Sequence, residues 1–172
     1  DPQLGSASAL DIDYLAERIR EAKLPVLLVG MRGSSEKETT AIRNLVEKTG
    51  LPVVETFQAA GVISRQLEEH FFGRVGLFRN QPGDMLLKRS DLVIAIGYDP
   101  IEYEARNWNA EKDARIIVID ETPAEIDPYM QPERELIGNI SETLDLLTVS
   151  LEPQQVSVDA KEYLASLQAK LA

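Results

Sequence analysis

Gly30-Met31-Arg32-Gly33-Ser34-Ser35 brings two glycines, a cation and two hydroxyls together directly after an apolar run and directly before a helical pattern. Open α/β sheets take their ligands at such loops, because glycine lets a phosphate come close and the start of a helix offers free N–H groups. The dinucleotide fingerprint needs a third glycine and the phosphate loop needs a Gly-Lys-Ser/Thr ending, and neither is present. The same residues also suit a plainer role, in which Gly30 ends a strand and Ser34 or Ser35 caps a helix. Glu55 and Asp120 each end an apolar run. Either would hold a ribose, although strand ends also collect acids for solvation. Gly30, Arg32, Gly33 and Asp120 therefore outline a candidate nucleotide cleft.

Other chemistry finds less material. His70 is the only histidine and there is no cysteine, so a zinc site of the usual kind has no ligands. Ser64 lacks the strand-turn-helix setting of a nucleophile elbow. Glu68-Glu69 and Asp120-Glu121 read as solvated faces rather than acid/base pairs, since neighbours on a strand point to opposite sides. Gly76 to Asp84, with Arg79, Asn80, Gln81, Pro82 and Gly83, is poor material for the middle of a helix or strand, so it reads as a loop.

Short apolar runs and amphipathic segments alternate along the chain and must position these residues. Ser8 and Asp11 open a helix with Ile12, Leu15, Ala16, Ile19 and Ala22 on one face, and Leu24-Pro25 is its expected stop. Val26 to Gly30 follows as a strand covered on both sides. Ser35 and Glu38 form a capping-box pattern for a second helix, which Gly50-Leu51-Pro52 ends. Pro52 to Phe57 reads as a strand, a turn is expected at Gln58-Ala59-Ala60-Gly61, and the stretch to Phe72 has no clear pattern. Pro82 begins a short helix ending near Ser90. Leu92 to Ile96 and Ala114 to Asp120 are buried strands, Glu135 to Ile140 is a weaker one, and Ser141 to Leu147 is a helix. The fold class is α/β, an open, mostly parallel sheet with helices on both faces, Rossmann-like. Residues 1–149 form that domain. Residues 150–172 are a linker and a helix, with Ala160, Leu164, Leu167 and Leu171 on one face, that leads toward a further domain.

Composition bounds the partners. A chain of 172 residues buries one good core rather than two. Eighteen basic and 29 acidic side chains give a net charge of -11, which repels nucleic acid and anionic membrane surfaces. No apolar run approaches the roughly 18 residues of a membrane helix. A soluble protein is therefore expected, the lack of cysteine fits a reducing cytoplasm, and the amino end has neither the basic start nor the apolar stretch of a signal peptide. It also lacks methionine, and the chain is expected to be a piece of a longer one.

Several stretches, taken in order, resemble the central domain of acetolactate synthases. They are Pro25 to Gly30, Leu51 to Gly61, Gly76 to Asp84 with Asn80-Gln81-Pro82-Gly83-Asp84, Ser90 to Gly97, and Ile119 to Ile126. The resemblance covers about Ile12 to Leu147 and implies a three-domain thiamine diphosphate enzyme. Such an enzyme condenses two pyruvates to 2-acetolactate and carbon dioxide, with the cofactor supplying carbanion stabilisation. It implies that thiamine diphosphate and magnesium are bound by the flanking domains, that the whole enzyme is a homotetramer, and that this chain alone is inert.

The biosynthetic branch of the family holds a flavin dinucleotide here, through a Gly-Met-His-Gly turn and an Arg-Phe-Asp-Asp-Arg motif. This chain keeps Gly76 but has Leu77, Phe78 and Arg79 after it, and Asp99-Pro100-Ile101-Glu102-Tyr103 in place of the arginine-bearing motif. The pattern resembles the catabolic, flavin-independent branch, so no FAD is expected and Gly76 joins Gly30, Arg32, Gly33 and Asp120 as a vestigial cleft. No catalytic residue is expected here. Gln81 is the candidate contact in the substrate funnel, and Arg79, Gln81, Tyr103 and Trp108 are expected to face the catalytic domains. The alternative is a genuine FAD- or ADP-binding domain of a related thiamine diphosphate decarboxylase or oxidase.

Overall fold

Pro25–Val29 (β1) is buried along its whole length, which a strand achieves only when both faces of its sheet are covered. In the computed structural model, which describes residues 4–56, 65–75, 82–154 and 158–171, β1 stands at the centre of a six-stranded parallel sheet. Its companions are Val53–Thr56 (β2), Phe71–Val75 (β3), Leu92–Ile96 (β4), Ile116–Asp120 (β5) and Arg134–Ile137 (β6), in the order β3-β2-β1-β4-β5-β6. Five helices cover it: Ala9–Glu21 (α1), Glu36–Thr49 (α2), Pro82–Arg89 (α3), Ile140–Ser150 (α4) and Val158–Leu171 (α5).

Alternate strand residues feed two separate cores. Leu27, Val29, Ile94, Ile96, Ile117 and Ile119 pack with the apolar faces of α1, α2 and α4. Val26, Leu28, Val93, Ala95, Ile116 and Val118 pack on the other side with α3, α5 and Trp108. Burying each of the valine, leucine and isoleucine side chains stabilises the fold by about 1.5–3 kcal/mol, so both faces favour aliphatic residues and the strands read as unbroken apolar runs.

Local signals set most of the boundaries. The Ser8 side chain accepts the Asp11 N–H at 3.2 Å and starts α1. Gly50, in the left-handed region at φ 75°, ends α2. At the foot of the sheet the Asp91 carboxylate accepts the Lys23 and Leu24 N–H groups, both at 2.8 Å, fastening the turn before β1 to the start of β4.

The α/β class and the parallel sheet agree with the sequence reading, while several details differ. Ser35 is the N-cap of α2, yet its side chain makes no capping hydrogen bond, so the expected capping box does not form. Pro25 opens β1 rather than merely stopping α1, whose C-cap is Ala22. The helix expected from Ser141 begins at Ile140, with the Asn139 side chain accepting the Glu142 N–H. Beyond a 3-10 segment, Arg65–His70, lies β3, a strand the sequence does not announce. Gly73 interrupts its apolar pattern and its register against β2 shifts between Val53 and Glu55.

The closing helix packs back onto this body. In α5, Leu167 is fully buried and Tyr163 donates its hydroxyl to the Met85 carbonyl of α3 at 3.0 Å. The Gln168 side-chain amide donates to the Phe71 carbonyl at 2.6 Å, at the start of the outer strand β3, and to the Glu69 carbonyl at 3.2 Å in the segment before it.

Candidate functional site

The strand order reverses between β1 and β4, and the crevice at their carboxyl ends is where sheets of this kind receive ligands. Two tight turns wall it. After β1 the chain enters a single 3-10 turn, Met31–Gly33, and after β4 it passes through Gly97 at φ 57°. A Cβ on Gly97 would stand 2.3 Å from the Gly33 nitrogen, and one on Gly30 would stand 2.5 Å from the Gly97 oxygen. Only glycine permits this approach and the left-handed turn together.

Side chains of the chain itself fill the crevice. The Glu102 carboxylate accepts the Met31 N–H at 2.9 and 3.0 Å, the Asp99 N–H at 3.2 Å and the Thr56 hydroxyl at 2.8 Å. Three strand ends, β1, β2 and β4, thus converge on one carboxylate. The Arg32 Nη2 donates to Asp120 at 2.6 Å and its Nε to the same carboxylate at 3.1 and 3.2 Å, while Nη1 reaches Asp99 at 3.2 Å. Hydrogen bonding to Asp120 raises the Arg32 pKa above its ordinary value, with Asp99 adding to it.

Gly30, Arg32, Gly33 and Asp120, singled out from the sequence, do meet at this crevice. Gly76, Arg79 and Gln81 lie outside the described residues, as do Ser64 and the expected turn at 58–61. Asp120 is not on a solvated face; at 2% exposure it is buried and paired with Arg32. Glu55 is buried too, with the Arg74 Nε of the neighbouring strand 3.6 Å away. Glu68 and Glu69 are exposed, as expected. His70 lies 3.3 Å from Glu69, and among the described residues no three His, Cys, Asp or Glu side chains group as metal ligands.

Trp108 overturns an expectation. Expected to face the catalytic domains, its ring is instead 2% exposed and packs edge-on against Tyr98. The Trp108 indole N–H donates to the Tyr98 hydroxyl at 3.5 Å, and that hydroxyl donates to the Tyr103 carbonyl. Burial raises the Tyr98 pKa. Tyr103 is half-buried and donates its hydroxyl to Asp84 of α3, beside a cleft that Lys88, Arg106 and Tyr129 also line. The sequence reading missed Glu102 and Thr56 as crevice residues. The available signal was position: both stand at or just beyond the carboxyl end of a strand beside β1.

Glycine turns at the switch point of this strand order are characteristic of Rossmann-like open α/β domains. The chain matches the family described as "Thiamine pyrophosphate enzyme, central domain" over residues 12–147, and it belongs to that family. It is similar to "Acetolactate synthase" of Bacillus subtilis, with 48% identity over 170 residues, covering 95% of this chain and 30% of that protein. "Acetolactate synthase, catabolic" of Raoultella terrigena is 37% identical over 155 residues, covering 90% of this chain and 28% of that protein. "Acetolactate synthase large subunit" of Corynebacterium glutamicum is 34% identical over 169 residues, covering 94% and 26%. The chain thus spans less than a third of the length of these curated relatives.

Among the described residues, the groups at this crevice that would face a pyrophosphate already have partners within the chain. The Met31 and Asp99 N–H groups that would face it are engaged by Glu102, and the Arg32 cation is engaged by two carboxylates. An added polyanion would meet Glu102, Asp99 and Asp120 at close range.

Proposed function

We propose that this chain is the central, largely structural domain of an acetolactate synthase of the catabolic kind. The longer enzyme condenses two pyruvates to 2-acetolactate and carbon dioxide, using thiamine diphosphate and magnesium held by its other domains. This domain carries no flavin dinucleotide. The observation that carries the reading is that Glu102 takes up the Met31 and Asp99 N–H groups and the Thr56 hydroxyl while Arg32 pairs with Asp120, which gives the crevice a structural occupation. The similarity to synthases from three bacteria supports the substrate and product.

In this reading the flanking domains of the same chain are the partners, the whole enzyme is a cytoplasmic homotetramer serving acetoin biosynthesis, and nucleic acid and membrane play no part. No helix among the described residues is long and apolar enough to cross a membrane, which supports that last point. Residues 150–172 lead toward the next domain. Exposed apolar side chains near the crevice, Ile101 at 84% and Met31 at 50%, suit a surface that other domains cover. Gln81 contributes to the substrate funnel. Its replacement by alanine in the full enzyme raises the KM for pyruvate, and unchanged kinetics would remove it from the funnel.

The test is acetolactate formation from pyruvate. The full enzyme is active with thiamine diphosphate and magnesium and needs no added flavin, whereas the 172-residue chain is inert under the same conditions. Turnover by the short chain, or a flavin requirement in the long one, overturns the reading. The strand order favours a second reading, a genuine FAD- or ADP-binding domain of a related thiamine diphosphate decarboxylase or oxidase. Saturable calorimetric binding of either nucleotide, abolished in Arg32→Ala, would establish it.

A further inference from the structure

We infer that Glu102 is a built-in substitute for an anionic ligand: its carboxylate occupies the place where the switch-point crevice would otherwise take a phosphate group, and so holds the crevice closed from within. The inference rests on the flavin-free part of the proposed function and names the residue responsible.

The geometry is that of a bound anion rather than of a surface acid. Both oxygens are engaged, by donors from three strand ends: the Met31 N–H after β1, the Thr56 hydroxyl at the end of β2 and the Asp99 N–H after β4. Oε2 would stand 2.8 Å from a Cβ on Gly30, so the carboxylate uses the room that this glycine leaves. Hydrogen bonds to an ionised acceptor are roughly twice as strong as neutral ones, and a group that collects several of them orders every segment it touches. Arg32 completes the closure, because its charge is directed to Asp120 and Asp99 rather than into the crevice.

An ordinary loop brace and an internal ligand substitute part company once the carboxylate is removed. Glu102→Ala leaves donors that a small anion can satisfy. Melting of this variant and of the unsubstituted chain is followed against inorganic phosphate, with sodium chloride at matched ionic strength as control. The variant is expected to be stabilised saturably by phosphate, with an apparent affinity at least about tenfold above that of the unsubstituted chain. Parallel, non-saturating responses in the two proteins overturn the role given to Glu102.

Should Glu102→Ala fail to fold, Glu102→Ser vacates the same place with a small polar side chain, and the Met31 and Asp99 amide resonances report directly. On titration with phosphate they shift saturably in the serine variant and stay fixed in the unsubstituted chain. Fixed resonances in both, or saturable shifts in both, contradict the inference. Saturable FAD binding by the unsubstituted chain is a separate failure, that of the flavin-free reading.

Discussion

The Arg32 guanidinium and the Asp120 carboxylate form a forked ion pair, 2.6 Å at its shortest, across the crest of the sheet from β1 to β5. Asp120 is buried while Arg32 is 37% exposed, so the pair is half desolvated. Removing the cation leaves a buried carboxylate without its partner. Arg32→Ala is expected to destabilise the fold by about 2–3 kcal/mol, below the cost of breaking a fully buried pair because solvent reaches the arginine side. Urea denaturation reads the difference, and a change under about 0.5 kcal/mol would show the pair to be incidental.

Gly97 offers a sharper test of the crest. Alanine there meets both the left-handed backbone and a contact of 2.3 Å with the Gly33 nitrogen. Strain and overpacking together should cost about 2–4 kcal/mol. A thermal midpoint within a degree or two of the original would mean that the two turns can separate freely.

Trp108 is the only tryptophan and serves as an internal probe. Because it is buried against Tyr98, its fluorescence is expected to be blue-shifted and resistant to acrylamide in the folded chain, then to move red on unfolding. Strong quenching under native conditions would place the ring at the surface after all.

Acid stability depends on Glu133. Its carboxylate receives a forked pair of hydrogen bonds from Arg115, at 2.7 and 2.9 Å, and one from the Tyr14 hydroxyl. The hydrogen bonds from Arg115, and then that from Tyr14, hold its pKa below the ordinary carboxylate value. A group whose folded pKa is depressed contributes stability above its unfolded value and loses it as pH falls through the folded one. Because Arg115 is half exposed, the contribution is about 1 kcal/mol or less. Glu133→Gln should therefore cost stability at neutral pH and flatten the acid limb of a stability profile below the carboxylate range. An unchanged slope there would contradict the assignment.

The elements most legible in the sequence were those that satisfy their requirements locally. β1, β4 and β5 announce themselves because strands covered on both faces tolerate little but aliphatic side chains. α1 and α2 show helical periodicity with Ser8 before one and Gly50 after the other. β3 was illegible for a matching reason: it is an outer strand, carries Gly73 and Arg74, and gains its order from Glu55 across the sheet and from α5, nearly a hundred residues later. The crevice was half legible. Gly30, Arg32 and Asp120 were found as glycine, cation and acid near strand ends. That they meet one another, with Glu102 among them, depends on the crossover that brings β4 beside β1. Trp108 misled for the same reason, since a polar stretch of sequence folded its one large ring inward.

The Gln168 contact with Phe71 has a practical consequence for trimming. A chain shortened after Ser150 would keep all six strands yet free the Phe71 carbonyl at the start of the outermost one, together with the apolar seat of Leu167. An uncapped sheet margin recruits strands from neighbouring molecules. The final helix thus shields one margin of the sheet, and shortening the chain is expected to favour self-association.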